Sequence, residues 1–467
     1  MESKARNQIL LVLFIGVLMG ALDIAIVGPA LPAIRKSFGV DDRAVAWIFT
    51  TYVLFNLISV PLMAKLSDLF GRRSIYILNV SLFAVGSLIV ALSPNLSVML
   101  IGRAIQGFGA GGVFPVASAV IGDTFPPEKR GGALGLIGAV FGIAFLVGPI
   151  LAGAILFFLG WHWLFIINLP IALVVIIMAY RLLPHTRAAQ QRQFDLMGMA
   201  VLAVMLAALT FAINQLDTTQ LATSIVSLNV LPFLVLVVAL FPVFIFIEAR
   251  AANPVLRLGL FKSRQVVVIA LVAFGAGLGE ASIVFVPAFV VAAFGVSSSS
   301  ASFMLLPAVL AMAFGSPTAG RMLDRVGSRV VLLVGTALAT AGLFVVALLG
   351  TNMVFFYVAV LLSGVGLGVL LGAPLRYVML NEAQASERAS AQGILTLHTS
   401  IGQLAGGAMV GAVAASFGGG VNGYTTAFLT VGVVMLLMTA LTLALKGRMA
   451  ELATAQQNHA ATSSQRA

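Results

Sequence analysis

Cysteine is absent from the 467 residues, so the chain can form neither a disulfide nor a cysteine-ligated zinc or iron–sulfur centre. Charge is nearly as scarce: 9% of residues are Asp, Glu, Lys or Arg, against roughly 25% in an ordinary soluble domain. A water-soluble globule of this size could not cover its surface with so few charges. Intrinsic disorder is excluded as well, because 61% of the residues are hydrophobic. No Gly-Lys dipeptide occurs, which removes the Walker A phosphate loop and any sign of ATP-driven pumping. The four histidines, His162, His185, His398 and His459, stand at no metal-ligating spacing.

What is there in quantity is apolar sequence, with a mean hydropathy of +1.11. The implied fold class is an all-α integral membrane protein. A spanning helix needs about 20 mostly apolar residues. On that measure the chain offers fourteen candidates. They lie near 8–31, 45–66, 75–94, 97–120, 132–158, 162–182, 196–216, 228–248, 265–293, 300–319, 329–349, 353–374, 391–415 and 424–446. The first run, from Ile9 to about Leu31, exceeds the length of a signal-peptide core and contains Asp23, so it reads as a span.

The formal net charge of +11 would suggest a nucleic-acid partner in a soluble protein; here it reads as topology. With a cytoplasmic N-terminus and every span crossing, the inner side holds every basic residue except Arg35, Lys36, Arg43 and Arg103. This includes Arg187 and Arg192 between spans six and seven. Both termini are therefore expected inside, in a multi-pass protein of the cell (inner) membrane.

The chain also repeats. Ala64 to Arg73 and Gly320 to Arg329 share one spacing, in which Asp68, Gly71 and Arg73 fall on Asp324, Gly327 and Arg329. Gly107-Phe108-Gly109 likewise resembles Gly364-Val365-Gly366, and Gly148 with Gly153 resembles Gly406 with Gly411. Two homologous six-helix halves, 1–182 and 265–447, would give this pattern. The segment 183–264 then supplies two extra helices and their linkers, and 448–467 a cytoplasmic polar tail. Internal repeats of this kind build alternating-access transporters.

Gly107, Gly109 and Gly112 satisfy G-x-G-x-x-G, but inside an apolar span with no preceding strand, so close helix packing is the reading they support. His398 reads as a hydrogen-bonded packing residue. Three charges lie well inside spans: Asp23, Arg103 and Glu280. Intramembrane charges are costly and are functional candidates by default. At 1.5 Å per residue, Asp23 and Glu280 lie roughly 21 Å from the inner face. Arg103 lies roughly 10 Å below the outer face of a ~30 Å core, so the three share a level. The alternative is an Asp23–Arg103 pair that only locks helices together. Glu280 has no basic partner in sequence and is the expected proton carrier, with Asp23 the organising or substrate-facing charge.

Arg72 completes the first motif beside Asp68, Gly71 and Arg73. A carboxylate there can cap a helix and accept arginine hydrogen bonds, and glycine permits a tight turn, so both loop motifs read as gates. In span five, Gly138, Gly142, Gly148, Pro149 and Gly153 recur along one kinked, tightly packed helix.

Taken together, these residues resemble the major facilitator superfamily, in particular its fourteen-helix drug/proton antiporters of the EmrB/QacA type. Ala64 to Arg73 is similar to the loop 2–3 motif, with Ala64 in place of the leading glycine. Arg103, Gln106 and Gly107 resemble the fourth-helix motif, and Gly138 to Gly153 the fifth-helix antiporter motif. Leu22 to Val27 followed by Ala30-Leu31-Pro32 is similar to the first-helix signature, with Gly28-Pro29 departing from it. Trp161 to Phe165 with Asn168-Leu169-Pro170 also matches, with His162 where arginine is typical. The resemblance implies export of amphipathic, often cationic compounds in exchange for protons. It implies no cofactor and no metal, a proton gradient as the energy source, and a chain that works as a monomer among membrane lipids. An exporter or flippase of lipids with the same fold is the alternative, and a non-transporting membrane sensor or scaffold is a third reading.

Overall fold

The computed structural model describes residues 3–184, 195–251, 254, 256–383, 388–451 and 453–454. His185, Arg187, Arg192, His459 and the expected tail beyond Thr454 lie outside the described residues. Among the described residues there are helices and turns but no strand.

Helices cover every stretch expected to span. They are α1 (Ser3–Phe38), α2 (Asp42–Phe70), α3 (Arg72–Ala91), α4 (Leu96–Thr124), α5 (Pro127–Phe158) and α6 (His162–Leu182). Then come α7 (Leu196–Gln215) and α8 (Leu231–Arg250). The remainder are α9 (Arg264–Phe294), α10 (Ser298–Met304 continuing as Leu306–Val326), α11 (Ser328–Leu349), α12 (Met353–Glu382), α13 (Arg388–Ser416) and α14 (Gly420–Thr442). Among the described residues, 12 helices are long and apolar enough to cross a membrane. That number differs from the fourteen spans expected. Helix α5 enters only as the shorter apolar piece Ile143–Phe158, and α13 is not among the twelve. The reason in α13 is composition: Gln392, Thr396, His398, Thr399 and Gln403 dilute its apolar residues.

Proline sets the local breaks. Helices α9, α10 and α12 are interrupted at Phe285, Leu305 and Gly372, each two residues before a proline (Pro287, Pro307, Pro374). Proline has no N–H to continue the ladder, so the preceding turn opens. Asparagine starts α4 and α12 in the same way. Asn95 Oδ1 accepts from the Val98 N–H at 3.0 Å, and Asn352 Oδ1 from the Val354 N–H at 2.9 Å.

The chain divides into two compact units, Met1–Met199 with Val296–Phe303, and Ala200–Gly295 with Met304–Ala467. In the first unit α4 packs on α2 and α3, α1 on α5 and α6, and α3 on α6. In the second, α12 packs on α10 and α11, α9 on α13 and α14, and α11 on α14. The two sets are the same pairs, with α1–α6 corresponding in order to α9–α14. Helices α7 and α8 have no counterpart. Helix α8 fully buries only Phe244 and Glu248 among its residues and exposes Val235, Val238, Phe241 and Phe246.

The glycine repeat is a packing device. A Cβ on Gly107 would strike the Tyr52 carbonyl of α2, and one on Gly109 the Phe83 backbone nitrogen of α3. Gly364 meets the Ala308 carbonyl of α10, and Gly366 the Ala339 nitrogen of α11, in the same relation. Hence Gly107→Ala is expected to lower stability by about 1–3 kcal/mol, the usual range for overpacking. Gly122→Ala, on the same helix with nothing within 4 Å of the new Cβ, should be neutral or slightly stabilising. Thermal unfolding of both variants in detergent checks this; equal melting temperatures would contradict it.

Candidate functional site

Asp23 on α1 and Arg103 on α4 meet inside the first unit, each 0% exposed. Arg103 Nη1 lies 2.6 Å from Asp23 Oδ2 and donates to Gln106 Oε1 at 2.6 Å. Gln106 Nε2 donates to Asp23 Oδ1 at 2.6 Å and to Ser87 Oγ at 2.9 Å. Asn168 of α6 donates to the same two acceptors at 3.4 and 3.3 Å. Arg103 Nε donates to the Ile48 carbonyl at 3.0 Å, and the guanidinium carbon sits 4.2 Å from the centre of the Tyr52 ring. Five helices thus send one or more groups to one buried ion pair. A desolvated pair holds only when its remaining hydrogen-bonding capacity is met. Here both carboxylate oxygens are occupied, and within the pair itself Arg103 Nη2 finds no hydrogen-bond partner among the described residues.

The second unit builds nothing similar at the corresponding place. In the register that sets Gly107 on Gly364, Arg103 falls on Val360 and Gln106 on Ser363. Gly86 abuts Gln106 and Gly342 abuts Ser363, which places Leu343 opposite Ser87. Gly279, Leu343, Val360 and Ser363 line a largely apolar cavity, together with Ser282 and Phe428. Ser282 Oγ is already bonded to the Gly279 carbonyl at 2.6 Å. Glu280 stands one residue beyond Gly279 on α9 and is half-buried, where Asp23 is fully enclosed. Its carboxylate accepts a hydrogen bond from Gln403 of α13 and, among the described residues, forms no ion pair. His398, also on α13, bonds through Nδ1 to the Ile394 carbonyl at 2.8 Å.

The two loop motifs share one backbone. Gly71 has φ 97° and ψ 141°, and Gly327 has φ 82° and ψ 166°, a left-handed region that glycine alone adopts readily. In the first turn Arg72 is ion-paired with Asp68, bonds through Nη1 to Ser67 Oγ at 2.7 Å, and reaches Asp123 of α4 at 3.1 Å through Nε. The Arg73 guanidinium lies 4.2 Å from the Tyr180 ring centre. Arg329 is half-buried, while the side chain of Asp324 lies outside the described residues. In α5, Gly148 abuts Ala25 of α1, Pro149 follows inside the helix, and Gly153 abuts the Phe303 ring. The surroundings of Gly138 and Gly142 lie outside the described residues.

The sequence points to an Asp23–Arg103 pair and names Gln106 and Asn168 as members of motifs, but not as ligands of Asp23, and it singles out neither Ser87 nor Tyr52. Gln106 was legible from its three-residue spacing to Arg103, which places both on one helix face. Asn168 was legible as a lone amide in an apolar run. Ser87 and Tyr52 carried no signal, because which face of α2 and α3 turns inward is settled by packing. The geometry predicts unequal costs for losing the two carboxylates. Asp23→Ala leaves a buried guanidinium unpaired and should cost about 3–5 kcal/mol, whereas Glu280→Ala strands no charge and should cost far less. Denaturation of each variant in detergent measures both losses; equal small losses would contradict the enclosed network.

Comparison with known proteins agrees with this architecture. The sequence model of the Major Facilitator Superfamily matches residues 13–279 and again 268–464. The uncharacterized MFS-type transporter YfiU of Bacillus subtilis (strain 168) is 33% identical over 406 residues, 86% of this chain and 78% of its own length. The multidrug transporter protein MdtP of the same organism is 30% identical over 421 residues, 88% of this chain and 76% of its own. A crystal structure of a bacterial homolog to the human lysosomal transporter Spinster has the same fold, with a TM-score of 0.70 at 16% identity, covering 95% of this chain and 97% of that one. The matched sequence, the paired helix sets and the recurring glycine turn agree: the chain is a multi-pass membrane transporter and belongs to the major facilitator superfamily.

Proposed function

We propose that the chain is a proton-coupled exporter of amphipathic, cationic compounds, working by alternating access as a fourteen-helix antiporter. It sits in the cell (inner) membrane with both ends cytoplasmic and needs no cofactor. The observation that carries this reading is Glu280, a half-buried carboxylate on a helix apolar enough to span, with no ion pair among the described residues. Such a group can hold either a proton or a cation, the minimal requirement for exchange. Asp23 is committed to Arg103 and Gln106, so it organises the first unit rather than carrying the exchanging proton. The 30% identity to a protein named as a multidrug transporter supports the substrate class. The Arg72 cluster and the two glycine turns supply contacts that one conformation can keep and another break.

Flux in proteoliposomes tests the reading. With an imposed pH gradient, the wild type should move a labelled lipophilic cation against its own gradient, and Glu280→Gln should abolish the dependence on the pH gradient. Movement of labelled phospholipid without cation flux would overturn the drug reading in favour of lipid export. No flux of either would favour a sensor.

Orientation has its own test in the cysteine-free background. Cysteines at the exposed positions Asn95 and Thr219 should react with an impermeant thiol reagent in intact cells. Those at Lys262 and at Thr186, the latter outside the described residues, should react only in opened cells. External labelling at Lys262 would contradict the fourteen-span topology.

A further inference from the structure

We propose that the segment from Lys446 to Glu451, just beyond α14, is a strap that completes the gating turn of the second unit. In the first unit the turn at Gly71 is closed by its own charges, since Arg72 bridges Asp68 of α2 and Asp123 of α4. The second repeat has lost that bridge. Ser328 stands in the place of Arg72, and in the register of Gly107 on Gly364 the place of Asp123 is taken by Leu380. No ion pair between those positions is possible.

The strap supplies replacements. Arg448 donates through Nη1 to the Arg325 carbonyl, the last turn of α10, and its side chain packs against Gly327. Glu451 Oε2 accepts from the Ser328 N–H at 3.2 Å, at the start of α11. A carboxylate at a helix N-terminus meets unpaired N–H groups and the positive end of the helix dipole. Glu451 is 4% exposed, whereas Arg448, Met449 and Ala450 before it are exposed. One buried acid in an exposed segment marks a docked contact, because an acid on a solvated tail would not give up its water. Lys446 forms the second anchor. It is ion-paired with Glu382 at the end of α12 and donates to Thr454 Oγ1 at 3.0 Å. Glu382 in turn accepts from Ser263 Oγ at 2.9 Å, at the start of α9. A single short segment therefore ties α9, the α10–α11 turn and α12 together at one end of the second unit. Glu451, Arg448 and Lys446 are positioning residues: docked, the strap holds the turn; released, it frees it.

The test uses the full-length chain with spin labels on cysteines at Met322 and Met449, both exposed and outside these contacts. The wild type should give one narrow distance population. Glu451→Gln should add a longer one, with the docked-to-undocked ratio falling about tenfold, and Glu451→Asp should restore the docked state. Lys446→Met, at the other anchor, should widen the distribution likewise and serves if Glu451→Gln does not fold. The functional readout rests on the export reading above: the undocked variants should turn over severalfold more slowly at unchanged KM. Unchanged distances in both variants overturn the proposal, as does an undocked strap with wild-type turnover. A wild type that exports nothing would overturn the export reading, and the distances alone would then decide the strap.

Discussion

A polar group carried into apolar surroundings must find its partner within the chain, and here that constraint is met chiefly at one place, the Asp23–Arg103 pair. Its two charges are enclosed, so every remaining donor and acceptor around them had to be brought from another helix. Gln106 and Asn168 take the second carboxylate oxygen, Ser87 takes their spare donors, and the Ile48 carbonyl takes Arg103 Nε. Such convergence needs backbones close together. The glycines of α4 allow it, letting α2 and α3 approach where any side chain would collide with a main-chain atom.

The same helix pairs pack in the second unit without the ion pair that justifies them in the first. Val360, Ser363 and Leu343 replace charged and amide groups, and a largely apolar cavity stands there instead. The fold is thus common to both repeats while the chemistry is not. The asymmetry recurs at the glycine turns, where charges native to the first turn are matched in the second by residues beyond α14. The first unit is cross-linked by buried ionic contacts. The second holds its distinctive carboxylate, Glu280, by a hydrogen bond from Gln403 and, among the described residues, by no ion pair.

How much was legible from the sequence follows from which physical signals are local. Asp23 and Arg103 stood out because a charge in an apolar run is conspicuous, and opposite signs on nearby helices suggest a pair. Gly71 and Gly327 were legible because a turn with positive φ leaves glycine as its trace. Gln106 was legible beside Arg103 as part of one motif, but its bond to Asp23 was not. Ser87 and Tyr52 were not legible at all, since their roles depend on how α2 and α3 rotate against α4. Depth along the helix could be counted, so Asp23 and Glu280 looked like a matched pair; rotation could not, and one step from Gly279 to Glu280 turns the carboxylate to another face. The polar positions of α13 separate a helix that is plain in the structure from one that length and composition alone would place in a membrane. The strap was invisible, because six residues of mixed polarity carry no periodicity.

The central claim is that one carboxylate exchanges a proton for a cation while the other stays tied to its arginine. The most direct measurement is proton release when a lipophilic cation is added to purified protein in weakly buffered detergent solution. The account predicts that the wild type and Asp23→Asn release protons on binding and that Glu280→Gln binds without release. Release that survives in Glu280→Gln and disappears in Asp23→Asn would contradict it.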